Sequence, residues 1–252
     1  MNKNRQTKFG FILVLCIVLG FFIGSMTATI RKDNNQIESE TTSTPEPEKT
    51  EKSEKTEVSF PHQIHYISGW DRCLDQLGID CDVAFLGDSI TYKGSFFLDF
   101  PNLVVCNLGV CSDNIKAVDY RVGTLWTIKP EHVFLMIGIN SLRVGDLNEC
   151  IEDYKVLVDD IISQRDFKLY IMSVTPISKN ESGVDTPPPE TIVSFNEAIA
   201  EIAQEKNATY VDLYSRLVDD SGYIKDEYTA DGLHLSDEAF EVWADLIRPY
   251  IG

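Results

Sequence analysis

The chain has 252 residues, with 22 Lys+Arg against 40 Asp+Glu and a formal charge of −18. It is 43 % hydrophobic and 25 % charged, a globular composition that excludes wholesale disorder and collagen-like structure. Residues 1–60 carry 8 basic and 8 acidic side chains, so the whole −18 sits in residues 61–252, which excludes nucleic acid as a partner because such a surface repels phosphate backbones.

In chain order, the first element is an apolar run. Phe9 to Ile30 contains no charged residue, and at about 1.5 Å per residue it spans roughly 33 Å, enough to cross a bilayer. Lys3, Arg5 and Lys8 precede it, which keeps the N-terminus cytoplasmic. A cleaved signal peptide would have a shorter apolar region and a small-x-small exit. The exit here is SMTATIRK, a poor site, so residues 1–30 are expected to be a cytoplasmic stub and an uncleaved anchor. The rest of the chain then lies outside the cytoplasm, with this helix its only membrane contact. Residues 31–60 have almost no large apolar side chains, so burial cannot offset their ordering entropy, and they read as a disordered tether.

Residues 61–252 are long enough for one domain with a sizeable core. Short apolar runs predict strands over Asp82–Leu86, Leu103–Asn107, His132–Ile137, Lys168–Val174 and Thr209–Asp212. Amphipathic segments predict helices over about Trp70–Leu77, Asn114–Ile128, Leu147–Gln164, Pro189–Lys206 and Asp237–Tyr250. In the third, Ile151, Tyr154, Leu157, Val158, Ile161 and Ile162 form one core-facing stripe, and Ser236 can cap the last. The alternation implies a three-layer α/β sandwich, whose chemistry belongs at the carboxyl ends of its strands. Five Cys follow the anchor, an odd number, so at least one stays free or pairs with another chain. No zinc-type C-x-x-C spacing occurs, and no metal or organic cofactor is implied.

The strand ends carry the polar residues. They are Gly87-Asp88-Ser89, Asn107-Leu108-Gly109 and Gly138-Ile139-Asn140, and Asp231-Gly232-Leu233-His234 precedes the last helix. Each alone is an ordinary turn or cap, and a lone histidine is more often structural. His62, His65 and His132 lack an Asp-x-x partner and take that structural reading. Together the segments offer a nucleophile, a base with an orienting carboxylate, and oxyanion donors.

These blocks resemble the SGNH, or GDSL-type, hydrolase superfamily. Phe85 to Thr91 matches its first block, Gly109 in NLGVCSD its second, Gly138-Ile139-Asn140 its third, and Asp231 to His234 its last. The resemblance covers about Trp70 to the C-terminus. One departure is Ser141, where many members have Asp. The resemblance, with the alternating pattern, implies a flavodoxin-like parallel sheet of five strands in order 2-1-3-4-5.

On this reading Ser89 attacks an ester carbonyl, His234 takes and returns its proton, and Asp231 holds the imidazole. The N–H groups of Ser89 and Gly109 and the Asn140 amide receive the oxyanion. Asp88 shapes the turn. The expected function is a membrane-tethered, extracytoplasmic serine esterase for small-molecule or glycan esters, O-acetyl groups on carbohydrates among them. The loop Ile177–Pro188 is expected to flank the site. Two alternatives stay open. An O-acyltransferase to surface glycans would use the same triad, and a non-catalytic surface binding module would use none of it.

Overall fold

The computed structural model describes residues 81–164, 166–179 and 186–251, all within the unit Val58–Gly252. The expected anchor, the tether, the Trp70–Leu77 helix, His62, His65, Cys16, Cys73 and part of the 177–188 loop lie outside the described residues.

Branched apolar runs become the strands. They are β1 (Val83–Gly87), β2 (Val105–Gly109), β3 (His132–Met136), β4 (Lys168–Met172) and β5 (Thr209–Val211). Every residue of β1 is buried, as a central strand covered on both faces requires. Among the described residues the five strands form one parallel sheet in the order β2-β1-β3-β4-β5, the order expected. β2 starts two residues later than predicted. The Val104 carbonyl accepts from both Asp82 N and Val83 N, and Asp82 Oδ2 takes the Val104 N–H at 2.6 Å, so the entry to this strand pair is irregular.

The helices between them are α1 (Ser89–Lys93), α2 (Phe96–Asp99), α3 (Ile115–Tyr120), α4 (Thr124–Ile128), α5 (Ile139–Leu142), α6 (Leu147–Gln164), α7 (Pro189–Glu205), α8 (Tyr214–Leu217) and α9 (Asp237–Ile251). α6, α7 and α9 follow the predicted spans closely. In α6 Tyr154, Leu157, Val158 and Ile161 are buried, while Ile162 at the edge of the stripe is 40 % exposed. Tyr154 meets Phe195 of α7 edge to face at 5.5 Å. Phe85 of β1 stacks on Phe96 of α2 at 3.8 Å, and Trp243 of α9 meets Phe96 edge-on at 5.0 Å. This aromatic cluster binds α2 and α9 to the strand that leads to Ser89.

The helix predicted over Asn114–Ile128 is two helices. Asn114 caps the first by accepting from Ala117 N at 2.9 Å. The chain leaves helical geometry at Arg121 (φ −112°, ψ 10°), whose side chain turns into the interior. His132 has the structural setting expected of it, its Nδ1 3.1 Å from the Tyr170 hydroxyl and its ring stacked on Tyr170. Among the described residues Cys81, Cys106 and Cys150 are free thiols.

Candidate active site

β1 ends at Gly87, and Asp88 starts α1. The Asp88 carboxylate caps the helix by accepting the Ile90 N–H at 2.9 Å, which places Ser89 at its first position. Asp88 is buried, and burial pushes its carboxyl up to about 7, with the Ile90 N–H pulling the other way and the charge of Asp113 adding to the rise. It shapes the turn, as expected, and bonds to no reacting group.

The segment before α9 is a tight loop. Gly232 takes φ +87°, a left-handed conformation that glycine adopts without strain. Thr229 Oγ1 donates to the His234 carbonyl at 2.7 Å and accepts the Gly232 N–H at 2.9 Å. Asp231 then uses both carboxylate oxygens on one neighbour. Oδ1 accepts the His234 N–H at 2.7 Å and the Leu233 N–H at 3.1 Å. Oδ2 accepts the ring Nδ1–H at 2.6 Å. The Asp-x-x-His spacing is therefore an Asx-type turn that also orients the imidazole.

A carboxylate only accepts, so Nδ1 carries the ring proton and Nε2 is left to accept. Nε2 takes the Ser89 hydroxyl at 3.0 Å, across 145 residues of chain. Burial pushes the Asp231 carboxyl up, but the hydrogen bonds from His234 and Leu233 outweigh it and hold the group well below the usual carboxylate range. Lys93 Nζ lies 3.6 Å from the same Oδ2, both side chains about half exposed.

Asn140 is the second residue of α5, beside the end of β3. Its Nδ2 donates one hydrogen to the Asp113 carbonyl at 2.8 Å, which leaves the amide's second hydrogen to offer. Ser141, the departure from the family pattern, has a capping role. Its Oγ accepts the Ile115 N–H at 3.0 Å, tying this loop to the start of α3.

Gly109 ends β2, where the sequence placed it. Its N–H is engaged, donating to Asn107 Oδ1 at 2.9 Å. Asn107 Nδ2 in turn donates to the carbonyls of Thr91 and Gly94. A Cβ on Gly109 would lie 2.2 Å from the backbone nitrogen of Tyr92, so the glycine serves close packing of α1 on β2. The free donor of this segment is three residues on. Ser112 sits at φ +67°, and its N–H has no partner among the described residues. Asp113, the next residue, closes that turn on the Val110 carbonyl and receives the Asn140 amide. The Ser89 N–H, at the first position of its helix, is likewise without a partner among the described residues. The positive φ at Ser112 has no local signature in the sequence. The run Ser112-Asp113-Asn114 directly after a strand was the signal of a turn there.

Ser89, His234 and Asp231 are thus joined by hydrogen bonds at the carboxyl edge of the sheet, Asn140 follows the neighbouring strand β3 at that edge, and Gly109 packs β2 against α1. A hydroxyl bonded to a base, the base bonded to a carboxylate, and N–H donors nearby form an arrangement that can do acyl transfer.

The profile of the GDSL-like lipase/acylhydrolase family matches residues 85–242, more than half of the chain. No curated protein matches the chain in sequence. A Streptococcus pneumonia structure, provisionally described as a platelet activating factor, is similar in fold with a TM-score of 0.65 at 21 % identity, covering 77 % of this chain and 100 % of that one. The lipase/acylhydrolase from Enterococcus faecalis has a TM-score of 0.58 at 20 % identity, covering 68 % of this chain and 95 % of its own. The acetyl xylan esterase AlAXEase has a TM-score of 0.57 at 18 % identity, covering 68 % and 100 %.

Proposed function

The chain belongs to the GDSL-like lipase/acylhydrolase family, and from that premise we propose a serine esterase that removes short acyl groups from carbohydrates outside the cytoplasm, through Ser89, Asp231 and His234. The observation that carries the reading is the continuous relay of hydrogen bonds, Ser89 Oγ to His234 Nε2 at 3.0 Å and His234 Nδ1 to Asp231 Oδ2 at 2.6 Å.

Ser89 Oγ attacks the ester carbonyl as its proton passes to Nε2. Asp231 stabilises the imidazolium that forms, and His234 hands the proton to the departing alcohol. Water, deprotonated by the same imidazole, then releases the acid from Ser89. The N–H groups of Ser89 and Ser112 and the free hydrogen of the Asn140 amide serve the oxyanion. Each such donor is worth about 2.7–4 kcal/mol in the transition state.

A place outside the cytoplasm is supported by the apolar run Phe9–Ile30 with its basic N-terminal flank. The acetyl xylan esterase among the similar folds supports a carbohydrate O-acetyl substrate, as does a position next to surface glycans.

The test is hydrolysis of p-nitrophenyl acetate and of an acetylated xylo-oligosaccharide by the detergent-solubilised full chain, with Ser89→Ala as control. Both substrates are expected to be cleaved, and the control is expected to lose activity. Equal rates for parent and control overturn the nucleophile, and cleavage of the nitrophenyl ester alone overturns the carbohydrate assignment.

A further inference from the structure

Behind the nucleophile lies a buried ion pair that takes no part in the proton relay. Arg121 Nε donates to Asp113 Oδ2 at 2.7 Å, and Arg121 Nη2 donates to the Gly87 carbonyl at 2.8 Å. The two side chains are 3 % and 2 % exposed. What they touch matters more than their burial. Gly87 is the last residue of β1, two before Ser89. Asp113 directly follows Ser112, its N–H closes the Ser112 turn, and its carbonyl holds the Asn140 amide at 2.8 Å. One guanidinium therefore joins the strand end that carries the nucleophile to the turn and the amide on the oxyanion side.

We propose that Arg121 is a positioning residue, whose fork sets the Ser112 N–H and the Asn140 amide in register with Ser89 Oγ. The inference rests on the esterase reading above and adds to it the device that aligns the oxyanion donors. The physical case has three parts. Oxyanion donors act by being in place before the charge develops, so their worth depends on a fixed distance from the nucleophile. The nucleophile and the donors follow separate strands, Ser89 after β1, Ser112 after β2 and Asn140 after β3, and the backbone bonding between β1 and β2 ends at Val110 N on the Gly87 carbonyl, before Ser112. A planar guanidinium donates in two directions at fixed angles, which suits it to hold a carbonyl and a carboxylate at once; a lysine ammonium on a flexible stem does not. A buried ion pair is by itself weak evidence for stability, so its placement between these loops asks for another explanation. The chain also gives up helical geometry at Arg121, which is where this side chain turns inward.

Arg121→Lys in the full chain is the test, with two readouts. The first is kcat and KM for p-nitrophenyl acetate. The second is the amide NMR signals of Ser112 and of the Asn140 side chain. The charge is kept and the fork is lost, so kcat is expected to fall by about 10- to 100-fold, the size of effect that follows from a misplacement of about 1 Å. KM is expected to change less than about twofold, because the donors act on the transition state. Both amide signals are expected to shift while thermal unfolding stays cooperative. If Arg121→Lys does not fold, Asp113→Asn, which leaves Nε a weaker, uncharged acceptor, carries the same readouts with smaller changes in the same direction. A folded variant with unmoved Ser112 and Asn140 signals, or with kcat within twofold of the parent, overturns the proposal. Equal hydrolysis by the parent and Ser89→Ala overturns the esterase reading instead. The amide signals then decide the tie alone, shifted signals supporting it and unmoved ones overturning it.

Discussion

Asp231 and Asp113 each hold a cationic or potentially cationic nitrogen at nearly the same distance, 2.6 Å and 2.7 Å, in opposite surroundings. The Asp231 side chain is half exposed, and its partner is an imidazole that can gain and lose a proton. The Asp113 side chain is 2 % exposed, and its partner is a guanidinium that stays charged. Hydrogen bonds win at Asp231, which is held well below the carboxylate range. At Asp113 burial pushes the carboxyl up, and Arg121 pulls it back only in part. The same contact therefore has two uses. Where water reaches it and the partner is an imidazole, it suits the movement of a proton. Where water is excluded and the partner cannot titrate, it holds backbone in place.

The sharpest way to separate the two regions is by rate and by stability. Asp231→Asn is expected to lower kcat by on the order of 10³–10⁴-fold with the fold intact, because the imidazole loses the group that sets its tautomer. Steady-state kinetics beside a circular dichroism melt reads this, and a variant as active as the parent removes the dyad from the reaction. Asp113→Ala is expected to lose stability as well as rate. It leaves a buried guanidinium unpaired, a change that typically costs about 3–5 kcal/mol, measured as a lowered urea midpoint. If the midpoint stays put, the buried pair holds nothing.

Asp88 stands between these cases, buried like Asp113 and adjacent to Ser89. Its carboxyl lies at about 7 in the fold against an ordinary 3.8, so the folded protein holds this proton more tightly than the unfolded chain. The stabilisation is full below about pH 4 and is lost as pH rises through about 7. Urea midpoints at pH 5 and pH 8 should show the parent losing stability relative to Asp88→Asn by about 3 kcal/mol, at about 1.4 kcal/mol per unit over the roughly two units between pH 5 and about 7. Parallel curves for the two proteins would show that Asp88 is ionised throughout. The smallest effect belongs to Lys93. Its contact with Asp231 Oδ2 is 3.6 Å between half-exposed side chains, so Lys93→Met is expected to change stability by less than about 1 kcal/mol. The remaining difference should fade with added salt, and a large salt-resistant change would mean that the rim is drier than its exposure indicates.

The sheet was legible in advance because a strand covered on both faces has to be an apolar run, and five such runs stood in the sequence. The long helices were legible because an apolar stripe repeats every turn for as long as the helix packs. The short helices α1, α2, α5 and α8 were not, since 4 or 5 residues carry no periodicity, and they exist because tertiary contacts hold them. Asp231 and His234 were readable as a pair because one Asx-type turn makes both the loop and the contact. Gly109 misled because a glycine at a strand end fits two uses equally, an open N–H or a close approach of backbone.

The sequence by itself determined which residues could be buried and which short segments could turn, since both follow from side-chain chemistry and local dihedral preference. It also carried Ser89 at a helix start and Asp231 with His234 in one turn, each a self-contained local motif. Only the tertiary structure decided what joins them. Ser112 N–H is open because Asp113 closes the turn behind it. Gly109 N–H is closed because Asn107 reaches it while bracing α1. Arg121 faces inward because a carboxylate and a carbonyl, 8 and 34 residues away in the chain, converge on it. Such contacts form between segments whose separation in sequence bears no relation to their separation in space, and no residue pattern along the chain encodes the meeting.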